Sequence, residues 1–313
     1  MSLAAEIPAK APFMAAPTVA TPRRARSPLA DYFELTKPRI AVMALVTVAA
    51  GYLLGAAGDF HWAGLLNTLL GAGLVAAGGS ALNHWLERGP DARMHRTSRR
   101  PLPSGRVAAP VALVFGVALF AGGVAWLYLT LPYPGASVAA AATGLLYVAV
   151  YTPMKRLTSW NTVVGAIPGA LPPVIGWCGA QESVTLKAVS LFAILFVWQL
   201  PHFYAIAFMH REDYARGGMR MLPVVERPDG FYTGLATVCT AALLVPVTAL
   251  PFVADVGHWL YLLGAVPLAL WFLVRATRFA RHRTTATARS VLRGSIVYLT
   301  GVMVLLVVDG LVG

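Results

Sequence analysis

The chain has 313 residues, of which 58% are hydrophobic and 12% charged, with a formal net charge of +12. Soluble domains carry about 25% charged residues, so a soluble globule is excluded. No ~10-residue alternating segments of the kind a porin-like barrel needs are present, and the basic residues lack the interleaved aromatics of a nucleic-acid surface.

Residues 1–30 are rich in Ala and Pro, with Arg23, Arg24 and Arg26 near the end. They contain no uninterrupted apolar core before a cleavage site, which argues against a secretory signal. They read as a disordered cytoplasmic tail, with a mitochondrial transit peptide as the minor alternative because acidic residues are scarce. Asp31–Arg39 reads as an amphipathic segment lying at the membrane interface. Nine apolar runs follow at about 40–57, 63–86, 107–130, 134–151, 162–180, 188–209, 231–252, 257–274 and 291–311. Each is close to the roughly 20 residues that cross a hydrocarbon core. The expected fold is an all-α polytopic membrane protein, with a tail over 1–30 and a nine-helix domain over 31–313.

The basic residues test this layout. All of the 25 lysines and arginines except Lys187 fall in the tail or in the even-numbered loops. The positive-inside rule then places the N-terminus and those loops in the cytoplasm and the C-terminus outside, as an odd number of spans requires. Cys178 and Cys239 both lie inside apolar runs and read as small core residues. No internal repeat stands out.

The second loop, residues 83–106, carries the densest chemistry. Asn83, Glu87 and Asp91 recur at four-residue steps, which on a helix puts side chains on one face. Arg88, Arg93, Arg96, Arg99, Arg100 and Arg106 follow or interleave. Two carboxylates and an amide offer oxygen to a hard cation such as Mg²⁺. Arginines beside them suit phosphate oxygens through forked, charge-assisted hydrogen bonds, although juxtamembrane arginines also serve topology and lipid headgroups. The combination points to a magnesium-diphosphate site at a membrane surface.

After span four, Lys155 and Arg156 precede a helix start near Ser159, where an anion is attracted. The Gly/Pro-broken stretch 165–176 either packs helices closely or lines a groove for a long apolar chain. Near the end of span six, Pro201 should bend the helix beside His202, an ionisable group inside a span. His202 could ligate heme iron, donate a hydrogen bond, move a proton, or simply pack. His210, Glu212 and Asp213 sit at the exit of that span, where the carboxylates could hold a second magnesium. The basic stretch 275–293, with Phe279 as its one aromatic, reads as a cytoplasmic surface facing anionic lipid. No Gly-rich nucleotide loop, Ser/His/Asp triad or Cys/His metal set appears.

Four stretches together carry a family resemblance. They are Glu34-Leu-Thr-Lys-Pro-Arg39, Asn83 through Gly105, Tyr151-Thr-Pro-Met-Lys-Arg-Leu-Thr through Gly176-Trp177, and Trp198-Gln-Leu-Pro-His-Phe203 with Asp213-Tyr214 and Met221-Leu-Pro-Val-Val225. In this order the chain resembles the heme O synthases, a family within the UbiA superfamily of intramembrane prenyltransferases. The resemblance implies a nine-helix bundle around a central cavity open to lipid. It also implies farnesyl transfer from farnesyl diphosphate to a vinyl group of protoheme IX (heme B), with release of diphosphate. Mg²⁺ would then be held by Asn83, Glu87, Asp91 and Asp213. Arg96, Arg99, Arg100, Lys155 and Arg156 would bind the diphosphate, and His202 would be the heme contact. A heme-modifying oxygenase or terminal oxidase assembly would lie downstream, in a bacterial-type inner membrane, or as a minor alternative the mitochondrial one.

Two departures stand out. Glu87 replaces the usual Asp, and Gly89-Pro90 interrupts the motif. Gly89 is suited to ending span two and Pro90 to starting a short helix, so Asp91 is expected to leave the face shared by Asn83 and Glu87. A UbiA-type transferase acting on a quinone-precursor ring, or a heme or lipid transporter, are the competing readings.

Overall fold

A computed structural model describes residues 27–56 and 58–312. Most of the tail expected over 1–30 thus lies outside the described residues. Its last part is not tail at all, because helix α1 already runs over Pro28–Leu35. Ser27 caps it, its hydroxyl accepting from the Ala30 N–H at 3.3 Å, and Pro28 supplies the preset φ of a first helical turn. Leu35 is fully buried, and Asp31 accepts from Arg106 Nε at 2.8 Å. The interfacial segment is therefore tied to the end of the second loop.

Among the described residues, nine helices are long and apolar enough to cross a membrane. They are α2 (Pro38–Gly55), α3 (Trp62–Arg93), α4 (Ala109–Thr130), α5 (Gly135–Met154), α6 (Asn161–Ala180), α7 (Leu186–Met209), α8 (Phe231–Val253), α9 (Trp259–His282) and α10 (Thr285–Gly310). The described residues contain no strand. Because lipid offers no partner to a free backbone amide, an all-helical solution is what such a composition dictates.

Two packing groups flank the polar end. In one, α3 lies along α4, and α2 lies along the Pro172–Ala180 half of α6. In the other, α7, α8, α9 and α10 pack around a shared apolar core that includes the fully buried Tyr261, Phe272 and Tyr298. The α2–α6 approach depends on glycine. A Cβ on Gly176 would run into the Val48 carbonyl, and one on Gly51 into the Pro173 carbonyl. Close backbone approach is how membrane helices gain dispersion energy without a hydrophobic driving force. At the opposite end of the molecule, Asp309 on α10 accepts from the Tyr261 N–H at 3.0 Å and caps the start of α9.

Two expected boundaries move. Span two does not stop at Gly89: α3 runs unbroken through Pro90 to Arg93. Gly89 lacks the positive φ a terminating glycine adopts. The helix ends at Arg93, and its last turn is held by the Asp91 carbonyl, which accepts from Met94 N at 3.3 Å and Thr97 Oγ1 at 2.9 Å. Pro90 costs one backbone hydrogen bond, and the contacts holding Asp91 offset that cost. Likewise the basic stretch 275–293 is not a loop. Arg275, Arg278 and Arg281 lie on α9, Arg289 and Arg293 on α10, and Arg283 turns the chain between them at φ 44°.

Candidate functional site

Because α3 is unbroken, Asn83, Glu87 and Asp91 share one of its faces after all, spread over about 80° of its circumference at ~100° per residue. All three are buried. Each meets a cation delivered by a different element. Lys37 Nζ lies 2.6 Å from Asn83 Oδ1, Lys155 Nζ 2.7 Å from Glu87 Oε1, and Arg100 Nη1 2.7 Å from Asp91 Oδ2.

Local backbone features aim these cations. Lys37 sits between α1 and α2 in the left-handed region, φ 49° and ψ 57°, which is uncommon without glycine and bends its side chain back toward α3. Lys155 follows a π-helical turn over Leu146–Tyr151 within α5. Such a turn inserts a residue into the helical phase and is frequent at functional sites. Here it lets Thr152 Oγ1 donate to the Tyr147 carbonyl at 2.8 Å while accepting from Asn83 Nδ2 at 3.0 Å. Lys155 then stands 4.6 Å from the ring centre of Tyr151. Arg100 belongs to the turn-rich segment after α3.

The cations differ in charge state. Burial, opposed by Glu87 and reinforced by Arg100 and Lys155, brings the Lys37 ammonium down to about 7. For Lys155 burial pushes the same way, but Tyr151, Glu87 and Tyr147 outweigh it and hold its pKa well above the usual lysine value. A hollow of about 290 Å³ opens beside this cluster, lined by Glu87, Thr152, Lys155, Arg156 and Met219.

The remaining expected site residues are placed less centrally. Arg156 is exposed at the rim of that hollow. Arg96 lies over the Tyr214 ring at 5.8 Å, and Arg99 is exposed with its carbonyl accepting from Arg106. Asp213 does not join Glu87 and Asp91. Its carboxylate accepts from the His95 N–H at 3.1 Å and Arg216 Nη2 at 2.6 Å, and lines a separate hollow with His210, Glu212 and Thr285. The hydrogen bond from Arg216, helped by the His95 amide, holds the Asp213 carboxyl below the usual range. Burial, reinforced by Arg96, pushes the His210 imidazole down. Asp213 thus clasps the segment after α7 to the end of α3, as does Arg93 Nη2 on the Gly217 carbonyl, while Arg220 N on the Lys155 carbonyl ties the same segment to the end of α5. His202 stands on α7 against Ser295 of α10, with Nδ1 2.7 Å from Ser295 Oγ.

The chain's own residues fit a divalent ion. Asp91 Oδ1 is buried and has no hydrogen-bond partner, a state that costs free energy unless something occupies it. Among the described residues no three His, Cys, Asp or Glu side chains come together. An ion here would be held by Glu87, Asp91 and the Asn83 amide oxygen, and completed by substrate oxygens, the usual arrangement for Mg²⁺. Sequence reasoning missed Lys37, Thr152 and His84. The last is buried beside Asn83 with both ring nitrogens unpartnered.

Comparison with known proteins places this geometry in context. The model of the UbiA prenyltransferase family matches residues 44–299. The protoheme IX farnesyltransferase of Solibacter usitatus is 47% identical over 288 residues, covering 89% of this chain and 98% of its own. That of Salinibacter ruber is 44% identical over 279 residues, with the same shares. Among solved structures, a digeranylgeranylglyceryl phosphate synthase superposes with a TM-score of 0.76 at 18% identity, covering 91% of this chain and 99% of the other. A UbiA homologue from Archaeoglobus fulgidus bound to DMAPP and Mg²⁺ gives 0.67 at 17% identity, covering 90% and 98%. At these identities the structural matches establish a shared fold.

Proposed function

The chain belongs to the UbiA prenyltransferase family, and from that premise we propose that it transfers a farnesyl group from farnesyl diphosphate to a vinyl group of protoheme IX, giving heme O and diphosphate. The observation that carries this reading is the near full-length match, at 47% identity, to a protoheme IX farnesyltransferase. The cluster on α3 supplies the matching chemistry.

Glu87, Asp91 and Asn83 would hold Mg²⁺. When bound, the ion draws charge from the diphosphate oxygens and so weakens the allylic C1–O bond. Lys155, Arg100 and Lys37 lie where the diphosphate would sit against α3, and Arg156, Arg96 and Arg99 stand outward of them. These cations are fixed before reaction, so the charge that develops on the leaving group is met without reorganisation. As C1–O breaks, its electron pair leaves with the diphosphate. The heme vinyl supplies its π pair to C1, and water adds to the cation left on the porphyrin side chain, losing a proton. The apolar helices around the prenyl chain keep water from C1 in the meantime.

By the positive-inside rule the cation-rich ends and the N-terminus are cytoplasmic and the C-terminus is outside, in a bacterial-type inner membrane. A heme-modifying oxygenase or terminal oxidase assembly consumes the product. Offering purified protein heme and a quinone-precursor ring together with farnesyl diphosphate tests the acceptor. Farnesylated heme is expected, and prenylation of the ring alone would overturn the assignment.

A further inference from the structure

Four buried side-chain nitrogen and oxygen atoms among the described residues have no hydrogen-bond partner, and three of them belong to one face of α3. These three are Asp91 Oδ1 and both ring nitrogens of His84. The fourth, Arg275 Nε, is part of a guanidinium that already donates to Ser290 Oγ at 2.7 Å. The open oxygen of Asp91 fits a cation, and the imidazole carries the opposite requirement. In either charge state His84 bears at least one N–H, and a buried N–H without an acceptor costs free energy that an apolar ring would not.

Placement narrows what supplies the acceptor. His84 comes three residues before Glu87 and seven before Asp91, so at ~100° per residue it stands about 60° from the first and about 20° from the second. It is about one turn nearer the middle of the span than Glu87. The residue is only 2% exposed, and the charges of Lys37, Arg100 and Lys155 all reach its ring. Those cations accept no hydrogen bond, and they are the ones bonded to Asn83, Glu87 and Asp91. An anion rich in oxygen satisfies three cations and an N–H together, which is the chemistry of a diphosphate. A metal fits the ring less well. Among the described residues no three His, Cys, Asp or Glu side chains come together, and Mg²⁺ prefers oxygen.

We propose that His84 is a further diphosphate-binding residue, its ring N–H donating a hydrogen bond to a phosphoryl oxygen of the prenyl diphosphate. No covalent bond forms or breaks in this contact, and no proton is transferred. The inference rests on the reading of this face of α3 as the diphosphate site, and it adds a neighbour on the side nearer the membrane interior.

The test is a calorimetric titration of detergent-purified protein with inorganic diphosphate in the presence of Mg²⁺. His84→Phe keeps an aromatic ring and removes both nitrogens. It is expected to weaken diphosphate binding about 10- to 100-fold, the range for one hydrogen bond to a charged group. Mg²⁺ titrated alone is expected to bind the variant and the wild type alike. His84→Asn and His84→Gln carry an amide N–H at two different reaches, and one of them is expected to recover most of the affinity. A purely structural imidazole predicts a lower unfolding temperature for His84→Phe without ligand. Loss of an unpartnered buried polar group predicts that the temperature does not fall. If the phenylalanine variant does not fold, His84→Leu serves the same comparison. Diphosphate affinity unchanged in the apolar variant would overturn the inference, as would a loss that neither amide relieves or an equal loss for Mg²⁺ alone. Product mass measured on the same samples separates this claim from the function. Farnesylated heme from a protein whose diphosphate affinity ignores His84 removes the contact and leaves the function. A His84-dependent diphosphate site that never yields farnesylated heme removes the function and leaves the contact.

Discussion

Lys155 Nζ lies 2.7 Å from Glu87 Oε1, joining the C-terminal end of α5 to the middle of the acidic face of α3. Both side chains are largely buried, at 13% and 8% exposure. Removing one partner of such a pair leaves an uncompensated charge and costs about 3–5 kcal/mol, whereas removing both is often nearly neutral. Glu87→Gln and Lys155→Met should each lower the thermal unfolding temperature in detergent, and the double variant should recover most of the loss. Turnover should not recover. Removing one preorganised charge from such a site costs roughly 10²–10³-fold in rate, and the double variant should remain as slow as the slower single one.

Metal and diphosphate should bind together. Lys37, Lys155 and Arg100 already bond one oxygen of each residue that would hold the ion, leaving Asp91 Oδ1 open, so Mg²⁺ entering alone meets three cations, while diphosphate gives those cations a new partner. Coupling between two ligands is reciprocal and commonly worth about 5- to 150-fold in affinity. Calorimetric titration with Mg²⁺ should show tightening of that order when inorganic diphosphate is present. Equal affinities with and without it would contradict the arrangement. Chelation with EDTA should abolish turnover.

Asp213 should behave as a clasp. Its carboxylate bonds the His95 amide and Arg216, away from Glu87 and Asp91. Asp213→Asn should therefore increase hydrogen exchange in residues 93–106 and 211–221 while changing Mg²⁺ affinity much less than Glu87→Gln does. Because the folded-state pKa of this carboxyl is depressed, the clasp is fully present above its unfolded value near about 4 and is lost as pH falls below that. Protection of these segments should be flat from neutral pH downward until that acid range.

Gly176 tests the packing that holds α2, and with it Lys37, in place. A Cβ there collides with the Val48 carbonyl, a backbone atom that cannot move without shifting α2. Gly176→Ala should destabilise by about 1–3 kcal/mol, the usual cost of overpacking, and should weaken diphosphate binding through Lys37. Thermal unfolding and calorimetry on one sample check both.

Much of this was legible in the sequence, for identifiable reasons. Nine spans could be read because lipid demands long apolar helices, and Asn83 with Glu87 could be read because a four-residue step is one helical turn. Asp91 was lost from that face because Gly89-Pro90 ordinarily ends a helix. What keeps it there is Arg100, nine residues on, together with Thr97, and neither contact has a sequence period. Lys37 reaches Asn83 across 46 residues, and Asn83 in turn reaches Thr152 across 69, so no local pattern could pair them. The π turn that aims Lys155 has no residue signature. His202 was visible as an ionisable residue within a span, but its hydrogen-bond partner Ser295 lies 93 positions away, and only the packing of α7 on α10 brings the two together. Asp213 drew attention by its type and its place at a span end. Three-dimensional placement assigns it to the clasp.

The most direct measurement is the mass of the heme product after purified protein is incubated with heme, farnesyl diphosphate and Mg²⁺, in wild type and in Glu87→Gln. The expected result is a heme carrying one farnesyl group and one added water in the wild type, and little or none in the variant or after chelation. Unmodified heme in the wild type, or equal product from Glu87→Gln, would contradict farnesyl transfer driven by the acidic face of α3.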